Sequence, residues 1–337
     1  MNNINPVFGQ LVIGPAGSGK TTYCDVMAKY LRQLGRSVIL INIDPANDVL
    51  PYEATIDISK LITLSDVMET MSLGPNGGLL YCIDYLNSNF DWLRDGLQKA
   101  IDAIESGDKD SSGKPSIPYI LVDSPGQIEL YTNHSSLKNV LTKLNSLSKQ
   151  LTINSSDVAT NGGSASSDHQ KIIDLRLVCV NIVDSHYCND PSKFISVALN
   201  CLNTMIHLEM PHINVLSKVD IIQKYAKSDF GLDFYCEVLD LNYLVDKISD
   251  DPFLAKFKKL TKGLAGIIED YSLISFIPLD VNNAKTVLNV LKGCDRANGF
   301  YLSDLDEEQL IQKYFRDSGS ANFESSKYDE LLDNLHE

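Results

Sequence analysis

Residues Gly14-Pro15-Ala16-Gly17-Ser18-Gly19-Lys20-Thr21 fit G-x-x-x-x-G-K-[ST] and constrain the fold more than any other stretch of the chain. Glycines let a backbone curl until successive N–H groups point inward at phosphate oxygens. The pattern then places Lys20 on the β- and γ-phosphates and the Thr21 hydroxyl on Mg²⁺. Gly14, Gly17, Ser18, Gly19, Lys20, Thr21 and Thr22 are therefore the nucleotide-binding candidates here. The context agrees. Phe8 to Ile13 reads as a short buried strand, and Thr22 to Leu31 has apolar residues at helical spacing, so the helix adds the positive end of its dipole.

Apolar strands alternating with helical segments predict an α/β fold: a three-layer α-β-α P-loop NTPase with a mostly parallel sheet and inserted helices. At 337 residues and 44% hydrophobic the chain can bury a sizeable core. Its formal net charge of −15 argues against direct nucleic-acid binding, because a phosphate backbone repels it. Seven scattered cysteines, with no C-x-x-C pair, point to reduced, packed thiols and not to a zinc site. No signal peptide, membrane-length apolar run or lipidation motif stands out, so no membrane association is expected.

Taken in order, Ser37 to Asp44 reads as a buried strand tipped by an acid and stopped by Pro45. An Asp at a strand's carboxyl end beside a phosphate loop sits where open α/β sheets bind ligands, which makes Asp44 a metal or water-positioning candidate. Leu61 to Met71 is helical. Leu73-Gly74-Pro75-Asn76-Gly77-Gly78 reads as a loop, and Leu79 to Glu105 as one long helix containing the only tryptophan, Trp92. Ile117 to Asp123 is a strand, followed by Asp123-Ser124-Pro125-Gly126-Gln127. This has the D-x-x-G form in which the Asp holds Mg²⁺ and the Gly126 N–H senses the γ-phosphate; Gln127 stands where a water-orienting residue can sit. The expected metal set is thus Thr21, Asp44 and Asp123.

Helical sequence runs from Glu129 to about Leu151. Residues 106–116 and 152–171 read as flexible inserts in a domain spanning 1–300, and 301–337 as an acidic helix with a loose tail. Leu175 to Asp184 and Ile213 to Asp220 are further strands, the second ending in Ser217-Lys218-Val219-Asp220. This resembles [NT]-K-x-D, whose Asp accepts two hydrogen bonds from guanine N1 and N2 while the Lys stem lies along the ring. Lys218 and Asp220 are the base-reading candidates, with Ser217 in place of the usual Asn or Thr. Leu232 to Tyr271 is helical, Ser272 to Leu279 a last strand and Ala284 to Ala297 a final helix.

Together these residues resemble the GPN-loop GTPases, through Gly14 to Thr22, Asp44-Pro45-Ala46-Asn47, the Gly-Pro-Asn stretch at 74–76, Asp123 to Glu129, and Ser217 to Asp220. Asp184-Ser185-His186-Tyr187-Cys188 with Pro211-His212-Ile213-Asn214 is most similar to the second eukaryotic paralogue of that family. The resemblance implies GTP and GDP as ligands and a homodimer, or a heterodimer with a paralogous GPN-loop GTPase. It gives Asn76 a role in the partner's site, on the phosphate or the attacking water. Lys20, Asp44, Asn76, Asp123, Gln127 and Glu129 form the catalytic set. It further implies work with RNA polymerase subunits or assembly factors, in assembly and nuclear import, and a cytoplasmic location with shuttling to the nucleus. The competing readings are a dimeric ATPase, a small-molecule phosphotransferase and a scaffold gated by bound nucleotide. Asp220 and the lack of a second loop lysine at Pro15-Ala16 weigh against the ATPase, and the sparse arginine weighs against the phosphotransferase.

Overall fold

The computed structural model of the chain describes residues 4–47, 49–107, 118–132, 134–147, 152–153, 171–221, 231–238, 241–248, 254–271 and 273–300. The chain divides into two compact units. One comprises Met1–Ile182, Thr204–Ile213 and Cys294–Phe300; the other comprises Val183–Asn203, Asn214–Gly293 and Tyr301–Glu337.

The elements of the first unit follow the strand–helix alternation. They are β1 (Ile4–Ile13), α1 (Lys20–Gln33), β2 (Ser37–Asn42), β3 (Ile56–Asp57), α2 (Leu64–Met71), α3 (Pro75–Ser88), α4 (Phe90–Gly107), β4 (Pro118–Asp123), α5 (Glu129–Thr132), α6 (Ser135–Ser146), β5 (Thr152–Ile153) and β6 (Lys171–Asp184), whose last two residues belong to the second unit. The strand order is β3-β2-β4-β1-β6. All these pairs are parallel, and β5 adds an antiparallel pair to β6.

Alternate residues of the strands face opposite layers. Leu11, Ile39, Ile41, Ile120, Val122 and Leu177 pack against Ile83 and Leu86 of α3, Leu93 and Leu97 of α4, and Val140 and Leu144 of α6. On the other face Tyr23 of α1 donates its hydroxyl proton to Gln10 Oε1 at 2.7 Å, and Gln10 Nε2 donates to the Tyr119 hydroxyl at 3.0 Å. Helices cover both faces, so the strands carry apolar runs throughout. The three-layer, mostly parallel α/β expectation is met.

Several boundaries differ from the sequence reading, each for a local reason. Gly74-Pro75-Asn76 is not a free loop. Pro75 opens α3 as its first helical residue, with Gly74 extended before it, because proline's fixed φ suits a position whose N–H has no helical partner. The long helix expected over 79–105 is two. Asn89 ends α3, with its backbone N–H and its Nδ2 both donating to the Tyr85 carbonyl at 2.9 Å. The single-residue break leaves the apolar periodicity almost in phase. The helix expected from Glu129 is likewise split into α5 and α6. The short edge strand β3 was not foreseen, and β2 ends at Asn42, two residues before Asp44. The expected inserts and acidic tail lie outside the described residues, apart from 106–107, 152–153 and 171.

The second unit holds α7 (Pro191–Leu208) in part, most of β7 (His212–Ser217), α8 (Leu232–Glu237), α9 (Asn242–Ile248), α10 (Lys258–Tyr271), β8 (Phe276–Leu279) and most of α11 (Ala284–Asn298). The parallel pair β7–β8 runs from Asn214↔Phe276 to Ser217↔Leu279. Phe194 of α7 meets Tyr235 edge-on, with centroids 5.0 Å apart, and Phe276 at 6.0 Å. All seven cysteines are buried free thiols, as their scatter predicted. Among the described residues no helix is long and apolar enough to cross a membrane.

One buried ion pair ties the end of the first unit to its sheet. Arg36 meets both oxygens of Asp295, at 2.8 Å and 3.3 Å, and lies over the Phe300 ring at 4.2 Å and the Tyr119 ring at 5.1 Å. The two side chains are only 10% and 3% exposed. Removing one partner of such a pair leaves a buried charge uncompensated. Arg36→Met should therefore lower the unfolding free energy by about 3 kcal/mol, read as a fall in the urea midpoint of the full chain. A midpoint equal to that of the parent would show that the pair contributes nothing.

Candidate functional site

The phosphate loop joins β1 to α1 and owes its shape to three glycines with positive φ: Gly14 at 142°, Gly17 at 77° and Gly19 at 98°. A Cβ on Gly14 would collide with the Ile182 carbonyl, whereas Gly17 and Gly19 have open space beside them. The latter two are glycines for backbone conformation alone. Gly19 is the N-cap of α1 and supplies no side-chain hydrogen bond, so the first amides of the helix are not capped from that position. Lys20 Nζ donates to the Pro15 carbonyl of its own loop at 3.1 Å. Burial lowers the Lys20 pKa, while the carboxylates of Asp123 and Asp44 push it back up. Thr22, two positions on, is exposed.

Asp123 ends β4 with no exposed surface. Its Oδ2 accepts from the Tyr52 hydroxyl at 2.8 Å, and its buried Oδ1 completes no hydrogen bond among the described residues. Burial raises the Asp123 pKa; the Tyr52 and Thr21 hydroxyls and the Lys20 ammonium oppose the rise. Burial likewise raises the Asp44 pKa, against the Ala46 N–H, which donates to Asp44 Oδ1 at 3.0 Å, and against Lys20. Thr21 Oγ1 accepts from Asn47 Nδ2 at 3.1 Å.

This donor set fits Mg²⁺. The ion prefers hard oxygens and is usually held by one or two carboxylates plus substrate phosphates, so it needs no dedicated protein cage. Among the described residues no cluster of three or more His, Cys, Asp or Glu could hold a metal. The unmet Oδ1 of Asp123, with the Thr21 hydroxyl close by, is where such an ion or its water would be met.

Gly126 lies directly on the loop. A Cβ there would come within 2.9 Å of Ala16 Cα and 3.1 Å of Lys20 Nζ, so only glycine permits this approach. Gln127 follows, and its Nε2 donates to Asn76 Oδ1 at 2.6 Å. The structure thus brings Lys20, Thr21, Asp44, Asp123 and Gly126 into one neighbourhood. Gln127 and Asn76 meet each other at its edge. Glu129 is exposed in the first turn of α5, and no side-chain contact joins it to that group.

The candidate base-reading residues, Lys218 and Asp220, belong to the second unit. Lys218 follows β7 with a φ of 60°, and its ammonium pairs with Asp184 at 2.7 Å. Ser217 is buried, and its Oγ donates to the Val183 carbonyl at 3.1 Å. The departure from Asn or Thr therefore still leaves a hydroxyl tying β7 to the end of β6. Asp220 is half-buried one turn on.

Three contributors were not picked out from the sequence. Tyr52 donates its hydroxyl to Asp123 Oδ2, yet it sits in a stretch without periodicity. Asn47 stands in the sequence only as the last residue of Asp44-Pro45-Ala46-Asn47, with no local sign of its bond to Thr21. Asn42, buried at the end of β2, accepts from the Asp44 N–H at 3.1 Å and donates to Asp57 at 2.9 Å, which fixes the turn that carries Asp44. A buried polar residue at a strand end was the available signal for it.

Comparison with known proteins shows the family. A protein-family profile described as "Conserved hypothetical ATP binding protein" matches residues 12–161 and 164–300. The chain is 46% identical over 303 residues to "GPN-loop GTPase 2" of Danio rerio, covering 90% of this chain and 84% of that one. It is 46% identical over 300 residues to "GPN-loop GTPase QQT1" of Arabidopsis thaliana, covering 89% and 88%. With "GPN-loop GTPase 2" of Saccharomyces cerevisiae it shares 35% over 296 residues, covering 87% and 75%. Among solved structures, a GTPase in apo form from Pyrococcus abyssi superposes with a TM-score of 0.60 at 20% identity, covering 88% of this chain and 98% of that one, which supports the fold. The chain belongs to the GPN-loop GTPase family.

Proposed function

We propose that this chain binds GTP with Mg²⁺, hydrolyses it to GDP and phosphate, and works as a dimeric switch. The observation that carries the reading is the buried Asp123 carboxylate, with one oxygen held by Tyr52 and the other unmet, beside Lys20, Thr21 and the glycine-shaped loop. The names of its relatives, GPN-loop GTPases, support the same chemistry.

In this reading a water attacks the γ-phosphorus in line, and the bond to the bridging oxygen breaks. The Lys20 ammonium and the loop N–H groups stabilise charge on the phosphoryl oxygens. Thr21, Asp44 and Asp123 would hold Mg²⁺, which would supply further charge neutralisation. Gly126 offers its N–H to the γ-phosphate, and Gln127 orients the water. Asp220 selects guanine, because adenine lacks the paired N1 and N2 donors.

Asn76 acts on a neighbour's site, with a homodimer or a paralogous heterodimer as the assembly. The exposed turn from Met71 to Asn76 supports this, since it leaves the apolar side chains of Met71 and Leu73 48% and 37% accessible. Service to RNA polymerase assembly and nuclear import, from the cytoplasm, rests on the family resemblance alone.

Single-turnover hydrolysis of GTP and ATP in parallel tests the reading. GTP should turn over faster, and equal or faster ATP turnover would contradict it. Asn76→Ala should cut GTP turnover about 100- to 1,000-fold with nucleotide affinity kept, a loss of the size seen when one transition-state donor is removed; unchanged turnover would rule out its role.

Burial raises the Asp123 pKa in the folded protein, so the group's stabilising contribution is present at acid pH and is lost as pH rises through the raised value. Asp123→Asn should therefore melt higher than the parent at neutral pH without nucleotide, the gap closing under acid conditions. The same variant should bind Mg·GTP about 100-fold more weakly. A variant that melts lower and binds normally would contradict both halves.

A further inference from the structure

Lys218 carries a left-handed backbone, φ 60°, at a position where a residue without a Cβ would be expected. Something must hold it there. Within the second unit, Ser185 Oγ donates to the Lys218 carbonyl at 2.9 Å, and Ser185 is 1% exposed. The Lys218 ammonium donates to Asp184 Oδ2 at 2.7 Å, and Asp184 Oδ1 accepts from the His186 N–H at 2.9 Å. The Ile221 N–H closes the turn on the Lys218 carbonyl at 3.0 Å. Consecutive residues at the end of β6 therefore grip both ends of one lysine: Ser185 its backbone and Asp184 its ammonium.

A lysine stem is four carbons long and loses up to about 2 kcal/mol of rotamer entropy when it is fixed. Here that ordering is in place before any ligand arrives. The stem becomes a fixed apolar wall two residues from Asp220, which has no partner among the described residues. Pairing with Asp184 also neutralises the Lys218 charge. That leaves the Asp220 carboxylate as the polar determinant of which base is accepted. Preorganisation of this kind improves affinity by removing an ordering cost, without adding contacts to the ligand.

We propose that Asp184 is a positioning residue for guanine recognition, holding the Lys218 stem against which the base ring lies. This rests on the GTP-binding reading above. The ion pair is partly exposed, 37% at Lys218 and 24% at Asp184, so its effect is moderate.

The test is Asp184→Asn in the full chain. Calorimetry would measure GTP, GDP, ATP and tripolyphosphate, with turnover at saturating GTP alongside. Affinity for GTP and GDP should fall about 2- to 5-fold. Affinity for tripolyphosphate, the saturated turnover rate and the melting temperature should stay at parent values, and Asp184→Glu should recover part of the loss. Unchanged guanine affinity in a parent that prefers GTP would overturn this proposal alone. So would an equal loss for tripolyphosphate, which would mark a general structural role. A parent that binds ATP as well as GTP would overturn the guanine reading itself.

Discussion

The site depends on a charge placed where solvation cannot reach it. Asp123 sits at the end of a strand with both faces covered, and burial pushes its carboxyl above the usual carboxylate range. Tyr52 meets one oxygen; the other is left for a ligand. A fold optimised for stability alone would not keep such a group, and retaining it makes sense only if something that binds there offsets the desolvation. The surrounding features follow from it. Lys20 is held close enough to respond to Asp123, Gly126 brings the following turn onto the loop, and Asn42 fixes the turn that presents Asp44.

The parallel sheet makes this placement possible. In an α/β sheet the carboxyl ends of adjacent strands open toward one edge, and loops from different strands converge there. β1 delivers the phosphate loop, β4 delivers Asp123, and the turn after β2 delivers Asp44, all in the first unit. The second unit carries the turn proposed to read the base, built from the ends of β6 and β7.

Much of this was legible in the sequence, and what was legible shares a cause. The loop glycines, Lys20, Asp44, Asp123 and Gly126 are set by local backbone demands, which adjacent residues encode. Tyr52, Asn47 and Asp184 act across gaps of 71, 26 and 34 residues respectively, to Asp123, Thr21 and Lys218. No spacing rule reaches that far. The Gly-Pro-Asn stretch reads as a loop because its turn-forming residues are also those that start a helix. Asn76 stands on the first turn of α3, a stiffer mount than a loop provides.

The central claim is that the unmet carboxylate awaits a metal-bound triphosphate. Calorimetric titration of the full chain with GTP, with magnesium and again with the metal chelated, tests it most directly. The account predicts tight binding with the ion and at least about a tenfold loss without it, a difference of roughly 1.4 kcal/mol or more. Equal affinity under both conditions would contradict the account, because Asp123 would then have no cation to meet.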